Sequence, residues 1–116
     1  MKKVLIGVLV LLLAINVQAK ENKQKYKDYA HDLVINKYHW TETDYKNLVK
    51  LWNKESGWRV KAKNGIYYGI CQTNKKHYGK DYNNYKVQIK WGLKYIKRRY
   101  GNPTKAWKHW KRKRWY

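Results

Sequence analysis

The sequence predicts an all-α domain with at most a small β component, and three observations support this prediction. Apolar residues recur at helical spacing in several separate segments after residue 25. Between these segments, the stretch 61–82 has little helical periodicity, and its Asn64-Gly65 pair favours a tight turn. The 7 Trp and 12 Tyr, with no Phe, must supply most of the large core side chains. We therefore expect a compact helical domain with a loop or small hairpin around 63–75.

The first 19 residues have the layout of a secretory signal peptide. Lys2 and Lys3 give a positive start, residues 4–15 are almost wholly apolar, and Val17-Gln18-Ala19 forms a small-residue cleavage site. The apolar run is short for a permanent membrane-spanning helix, although an uncleaved anchor stays open as the alternative. We therefore expect a secreted, extracellular protein.

Basic residues dominate the composition. Lys and Arg total 28 against 7 Asp and Glu, which gives a net charge of +21. Such a charge favours a polyanionic partner, which is nucleic acid, an anionic membrane or a phosphate-rich polymer of a bacterial wall. The export signal argues against genomic DNA, so we expect no nucleic-acid partner. The single cysteine, Cys71, excludes an internal disulfide, and we expect it to be buried and inert.

The first predicted helix follows a polar segment. Residues 20–27 are charged and predict a loose N-terminal arm, and apolar positions from Tyr26 to Val34 then recur at helical spacing. We assign residues 20–40 to this arm and first helix, and residues 41–116 to the main domain. Removal of the signal peptide would leave 116 − 19 = 97 residues, which is enough for one domain.

The second helix has the clearest pattern. Thr41 to Asp44 supplies N-cap candidates and early acidic residues, and Gly57 suits the C-terminus. Glu55 falls on the apolar face of this helix, in its last turn. That face is formed by Tyr45, Leu48, Val49 and Trp52.

Two further helices are predicted near the end of the chain. Apolar residues mark a long helix over 89–100, which Gly101 and Pro103 bring to an end. Pro103 suits the first turn of a short helix that carries Ala106, Trp107 and Trp110.

Glu55 is the candidate catalytic residue on the pattern alone. Burial and the negative end of a helix dipole both raise the pKa of a carboxyl group, toward a value suited to a general acid. The alternative is a structural Glu55 that pairs with a Lys or Arg at the helix end.

Most glycosidases require a second carboxylate within about 5–9.5 Å of the first. Asp44 lies eleven residues earlier on the same helix, about 16 Å away at 1.5 Å per residue. Asp81, Asp28 or Asp32 would have to approach from other elements. A mechanism that uses a single carboxylate is therefore an alternative to the two-carboxylate mechanism.

Other chemistries have weaker support in the sequence. The four His residues, at 31, 39, 77 and 109, lack the spacing of metal ligands, so we expect no metal and no cofactor. Cys71 with a distant His would be a poor basis for a thiol protease. Basic residues interleaved with aromatic ones also suit single-stranded nucleic acid, a hypothesis that the export signal disfavours.

Around the candidate acid the chain reads Lys54-Glu55-Ser56-Gly57-Trp58, then Ala62-Lys63-Asn64 and Tyr68-Gly69-Ile70-Cys71-Gln72. These blocks resemble the E-S-G-W, A-x-N and Y-G-I-x-Q signature of the lytic transglycosylase (SLT, lysozyme-like) superfamily. Small secreted bacterial or phage-borne peptidoglycan-cleaving domains have this pattern. The similarity covers about residues 48–116 and continues through Gln88 to Pro103, Ala106-Trp107, His109 and Trp115-Tyr116.

The resemblance implies a lysozyme-like fold with Glu55 as the catalytic acid. It implies non-hydrolytic cleavage between N-acetylmuramic acid and N-acetylglucosamine, which leaves 1,6-anhydro ends and requires no metal. Ser56, Tyr68 and Gln72 match positions expected to bind substrate, and each has a structural alternative as a helix-ending hydroxyl, a packed ring or a structural amide. The implied partners are peptidoglycan glycan strands and anionic wall polymers, bound by a wall-associated monomer.

Three departures from the family pattern affect the predicted site. Tyr67 stands where many relatives have a small residue, which predicts a narrowed groove, and Cys71 stands where Pro, Ala or Met is common. A late A-x-N-x-G type motif, with its tyrosine near the acid, is absent. Tyr95 and Tyr100 are the candidates to replace that tyrosine.

Two alternative functions stay open at this point. A hydrolytic muramidase of the same fold would use Asp81 to hold a water molecule. A non-catalytic protein would use its basic surface to bind a cell wall or membrane, and Glu55 would then be incidental.

Overall fold

A computed structural model describes the backbone of residues 2–116 and the side chains of residues 13–116. Over this part of the chain the fold is mostly helical and includes one small three-stranded antiparallel sheet. The expected helical fold with a small hairpin is confirmed at the level of secondary structure.

Helix α1 spans Lys2–Asp32 and continues into a π-helical segment at Leu33–Lys37. The expectation of a loose arm at 20–27 is wrong, because these residues are helical. No Gly or Pro interrupts this stretch, and Gln24 donates a 2.8 Å hydrogen bond to Asp28 one turn later. Polar residues with long side chains have good helix propensity, and hydrogen-bonded pairs four residues apart stabilise a helix. A charged composition is therefore compatible with a helix as well as with a loose arm.

The predicted signal peptide at 1–19 falls mostly on residues whose side chains lie outside the described part of the chain. Its cleavage, or its retention as an anchor, therefore stays a prediction. In the part of the chain that the structure describes, no helix combines the length and the apolar character that a membrane crossing requires.

Helix α2, Glu42–Ser56, begins and ends as its sequence predicts. The Thr41 side chain accepts a hydrogen bond from the Asp44 backbone N–H, and the Asp44 carboxylate accepts one from the Thr41 backbone N–H. This capping box satisfies two N–H groups that a helix start leaves free. Gly57 ends the helix with a φ of 62°, in the left-handed region that glycine adopts without strain.

A hairpin follows α2, as the Asn64-Gly65 pair predicts. Strand β1 (Lys63–Asn64) pairs with β2 (Tyr67–Tyr68), which pairs in turn with β3 (Thr73–Asn74). A short 3₁₀-helical segment, Lys75–Asp81, then leads toward the third helix.

Helix α3, Tyr85–Tyr100, crosses the back of this loop region and fixes it in place. The Gln88 side chain is fully buried, accepts a 2.8 Å bond from the Ile70 N–H and donates to the carbonyls of Val60 and Tyr82. Gly92 allows close contact, since a Cβ at this position would lie 2.6 Å from the Trp52 ring. The chain segments around the hairpin are thereby held against α2 and α3.

Helix α4, Pro103–Lys113, packs against α2 and carries the chain back to the end of that helix. Thr104 at its start donates a 2.5 Å hydrogen bond to Asp44 at the start of α2. The core lies between the helices and the hairpin. Its large, fully buried members include Leu48, Leu51, Trp52, Trp58, Ile70, Ile89, Leu93 and Ile96.

Candidate active site

The carboxyl group of Glu55 lies at the end of α2, between the hairpin and the C-terminal segment. Leu51 and Trp52 anchor this turn in the core, and the Trp58 indole donates a 3.1 Å hydrogen bond to the Val49 carbonyl. Glu55 itself is half-buried. The packing on both sides therefore fixes the position of the carboxyl group while leaving it accessible.

Glu55 lines a cleft of about 390 Å³ that is open to solvent. Residues of the hairpin form one wall, and residues after α4 form the other. The remaining lining residues are Asn64, Tyr67, Gln72, Trp115 and Tyr116. Aromatic side chains with a few polar groups around one carboxyl group are the surroundings expected of a small-molecule binding site.

The pKa of Glu55 is raised from 4.5 to about 7, because burial disfavours the charged carboxylate. A hydrogen bond from the Trp110 side chain acts in the opposite direction and offsets part of this effect. Near neutral pH the group therefore exists in both protonation states. A carboxyl group of this kind is suited to donate a proton and later to accept one.

Tyr116 lines the Glu55 cleft, and its hydroxyl is fixed by hydrogen bonds. Its hydroxyl donates a 2.6 Å hydrogen bond to the Cys71 carbonyl and accepts a 2.9 Å bond from the Trp52 indole. Burial raises the pKa of Tyr116 well above its ordinary value, with Cys71 and Glu55 as further causes. The hydroxyl thus stays protonated and links the C-terminal segment to α2 beside Glu55.

Tyr95 and Tyr100, which the sequence offered as candidates for a tyrosine near Glu55, do not line the cleft. Tyr95 lines a neighbouring recess and contacts Tyr116 edge to face, with ring centroids 5.6 Å apart. Tyr100 packs near His109, and neither Tyr95 nor Tyr100 lines the Glu55 cleft. Of these three tyrosines, Tyr116 alone lines the Glu55 cleft.

Of the three predicted substrate-binding residues, only Gln72 lines the cleft. Its amide N–H₂ donates to the carbonyls of Ala62 (3.0 Å) and Gly69 (2.9 Å), and its oxygen accepts from Asn64 (2.9 Å). The amide therefore holds the hairpin in shape, and its edge forms part of the cleft wall.

Ser56 and Tyr68 do not line the cleft. Ser56 is buried and donates a 2.6 Å hydrogen bond to the Ile70 carbonyl, which ties the end of α2 to the loop after β2. Tyr68 is buried on the far side of its strand and donates to Asn83 at 2.5 Å. Because adjacent strand residues point to opposite faces, its neighbour Tyr67 faces the cleft instead.

A second recess of about 210 Å³ adjoins the cleft and shares Tyr67, Gln72 and Tyr116 with it. Three parallel rings line this recess. Trp91 stacks between His77 and Tyr95, with centroid distances of 5.0 Å and 5.4 Å. Trp91 and Tyr95 are both half-buried and extend the groove away from Glu55.

Among the described side chains, Glu55 is the only acidic one that lines either the cleft or the adjoining recess. Asp81 lies exposed at the end of the 3₁₀ segment, and Asp44 is committed to the start of α2. No group of three or more His, Cys, Asp and Glu residues in the described part of the chain is arranged to hold a metal ion.

Cys71 is buried, as the sequence analysis expects, and burial raises the pKa of its thiol to about 12. The sulfur lies 3.1 Å from the Tyr78 hydroxyl, which donates to the Tyr68 carbonyl. A thiol that stays protonated inside the core is a packing residue rather than a nucleophile.

The prediction that Tyr67 narrows the groove agrees with its place in the cleft wall. The sequence did not identify Trp115 and Tyr116 as neighbours of Glu55. Their approach depends on the left-handed turn at Arg114, where φ is 66°.

Comparisons of the chain with known protein families, with curated proteins and with solved structures find no significant match.

Proposed function

We propose that this protein is a lytic transglycosylase that cleaves peptidoglycan glycan strands between N-acetylmuramic acid and N-acetylglucosamine. In this proposal it adopts a lysozyme-like arrangement, is secreted through its N-terminal signal peptide and acts at the cell wall. Glu55 is the catalytic residue. The cleft walls formed by Asn64, Tyr67, Gln72 and Trp115 hold the sugars.

One observation carries the proposal, which is the environment of Glu55. A half-buried carboxyl group with a pKa of about 7 stands alone in an open cleft lined by aromatic and amide side chains. The family signature around Glu55 in the sequence points to the same residue independently of this geometry. A purely structural Glu55 would be expected to pair with a cation, yet no Lys or Arg bonds to it among the described residues.

The reaction requires Glu55 to act twice. First the protonated carboxyl group donates its proton to the glycosidic oxygen, the C1–O bond breaks, and the 2-acetamido group of the sugar assists departure. The carboxylate then accepts the proton of the sugar's own 6-hydroxyl, whose oxygen attacks C1. The product is a 1,6-anhydro end, no water is consumed, and Glu55 returns to its protonated form.

The absence of a second acid from the cleft wall favours this route over hydrolysis. A muramidase would need a group to hold and activate water, and Asp81 does not reach the cleft in the described structure. Tyr116, whose hydroxyl is held by two hydrogen bonds beside Glu55, gives the acid a fixed neighbour without adding a second negative charge.

The proposal is tested by Glu55→Gln, which keeps the shape of the side chain and removes its proton. We expect lysis of purified walls to fall at least about 100-fold, since a general acid contributes that much or more. Binding to the walls should be retained. Glu21→Gln is the matched control, because it removes the same charge from an exposed position and should leave lysis unchanged. Lysis that survives Glu55→Gln would contradict the catalytic role of Glu55. Wall binding without any lysis by the wild type would favour the non-catalytic, cationic wall-binding alternative.

A further inference from the structure

The positive charge of this protein is almost entirely uncompensated near the cleft. From Ser56 to the end of the chain the sequence has eighteen Lys and Arg residues and one acid, Asp81. In the described part of the chain the only ion pair joins His31 on α1 to Glu42 on α2. No Lys or Arg takes part in it. The basic side chains of α3 and α4 are therefore free to bind an external anion.

Three basic side chains near the C-terminal ends of α3 and α4 lie over Trp rings. The Arg99 guanidinium lies 5.4 Å from the centre of the Trp115 ring, Lys111 lies 5.8 Å from that of Trp107, and Arg114 lies 5.1 Å from that of Trp110. We call Arg99, Lys111 and Arg114 with these rings the basic strip.

The rings hold the cations of the basic strip in place before any ligand binds. A guanidinium or ammonium group within about 6 Å of an aromatic ring centre is attracted to the face of the ring, which restricts its position. Two of the three cations are Arg, whose planar fork matches a phosphate group with two parallel hydrogen bonds. Burial lowers the pKa of His109, and the charges of Arg112, Arg99 and Lys113 lower it further, which indicates a positive potential at this surface.

The basic strip begins at the wall of the candidate active site. Trp115 both lines the Glu55 cleft and lies under Arg99. A polymer that follows the strip would therefore lie next to a glycan strand bound in the cleft. We propose that the basic strip binds a phosphodiester polymer carried on the same wall as the glycan strand. This location rests on the proposed function, whereas binding of the polymer itself does not.

The rings of the strip are poorly arranged for single-stranded nucleic acid. Such binding uses open aromatic faces on which bases stack. Trp107 and Trp110 stack on each other at 5.5 Å and 9°, and each also carries a cation. An anionic membrane is also a poorer match, because Trp115 is the only strongly exposed large apolar side chain of the strip.

The test measures binding of a soluble poly(glycerol phosphate) of defined length by titration calorimetry at several salt concentrations. The strip variant is Arg99→Gln, Lys111→Gln, Arg114→Gln, and all three positions are exposed, so that the fold is retained. We expect its Kd to rise at least about tenfold near 0.15 M salt. The dependence of log Kd on log salt should flatten by about 2, since each of the three lost phosphate contacts removes about 0.7 of a released counterion on a single-stranded polymer.

A control variant removes the same charge elsewhere: Lys25→Gln, Lys80→Gln, Lys86→Gln. Two of these lysines also lie over aromatic rings, 5.2 Å and 5.7 Å from the rings of Tyr85 and Tyr29. Lys86 is thirteen residues before Arg99 on α3, about 20 Å away along the helix. The control Kd should change less than about threefold, and an equal loss in the two variants would show that the polymer senses net charge only and would overturn the proposal.

Two further probes distinguish the possible anions. A single-stranded oligonucleotide with the same number of phosphates, and vesicles containing anionic lipid, should bind more weakly than poly(glycerol phosphate) and with less dependence on the strip. Tighter, strip-dependent binding of either one would overturn the proposal in favour of that partner. Cleavage of phosphate-free glycan strands by the wild type is measured in parallel. If the wild type fails to cleave these strands but binds the polymer, the proposed function fails and the inference stands.

Discussion

Replacing Glu55 with Gln should make the protein relatively more stable at alkaline pH but not at acid pH. The pKa of Glu55 is about 7 in the folded protein and 4.5 in an unfolded chain. Folding therefore favours the protonated carboxyl group. The contribution of Glu55 to the free energy of unfolding is complete below pH 4.5 and is lost as the pH rises through 7. Gln cannot ionise, and the variant does not lose stability in this range.

The size of the effect follows from the two pKa values. A change from 4.5 to about 7 corresponds to roughly 3.4 kcal/mol at about 1.36 kcal/mol for each tenfold change in proton affinity. Because the carboxyl group keeps substantial contact with water, we expect about half of that, 1–2 kcal/mol, to be measurable. Between pH 4 and pH 9 the free energy of unfolding of Glu55→Gln should therefore rise by this amount relative to the wild type.

Urea unfolding followed by Trp fluorescence, at pH 4, 5.5, 7 and 9, measures this difference directly. Glu21→Gln is the control for the loss of one negative charge from a very basic protein, and its difference from the wild type should vary much less with pH. A constant difference between Glu55→Gln and the wild type over this range would refute the argument. A relative loss of stability at high pH would show that the folded protein favours the carboxylate instead.

Three other predictions concern the groups around Glu55 and the loop beside it. Trp110→Phe removes a hydrogen bond that lowers the pKa of Glu55, so a carbon-13 NMR titration should give a pKa above 7, whereas Trp107→Phe should leave the pKa unchanged. Tyr116→Phe leaves the Trp52 indole N–H and the Cys71 carbonyl without a partner, and urea unfolding should show that the free energy of unfolding falls by about 1–3 kcal/mol. No loss would mean that water replaces the hydroxyl. Gln88→Leu keeps the side-chain volume but leaves one buried N–H and two carbonyls unpaired, so we expect a loss of about 3 kcal/mol or more in the same assay. A loss below about 1 kcal/mol would mean that other groups form hydrogen bonds with the N–H and the two carbonyls that Gln88 contacts.

The sequence was sufficient to locate Glu55 and the helix that carries it. An apolar face, N-cap candidates from Thr41 to Asp44 and a C-terminal glycine are all local signals, and together they predicted the end of α2 and the face that it buries. The turn at Asn64-Gly65 and the break at Gly101 and Pro103 are equally local, because each depends on backbone angles that few residues adopt. Predictions of this kind need no knowledge of the rest of the fold.

The composition of the cleft could not be predicted in the same way. Tyr116 reaches Glu55 only through the return of α4 along α2 and the left-handed turn at Arg114, and these depend on tertiary packing. Ser56 and Gln72 match signature positions, yet their polar groups bond to the backbone of neighbouring loops. At such positions a sequence pattern does not distinguish a residue that shapes a site from one that contacts a ligand.

The N-terminal segment shows a different limit of sequence reasoning. Its many charged residues suggested a loose arm, but residues 20–27 continue α1. A charged segment that lacks Gly and Pro is compatible with both a loose arm and a helix. The partly buried rings of Tyr26 and Tyr29 pack against Tyr85 on α3. That tertiary contact, which the sequence does not reveal, favours the helix.

The most direct test of the central claim is to identify the ends that the protein creates on defined, phosphate-free glycan strands. Mass spectrometry distinguishes a 1,6-anhydro muramic end from a reducing end, which is heavier by one water. We predict anhydro ends with the wild type and no new ends with Glu55→Gln. Reducing ends would contradict the one-carboxylate mechanism and favour a muramidase, and the absence of any new ends with the wild type would contradict the assignment of Glu55 as a catalytic residue.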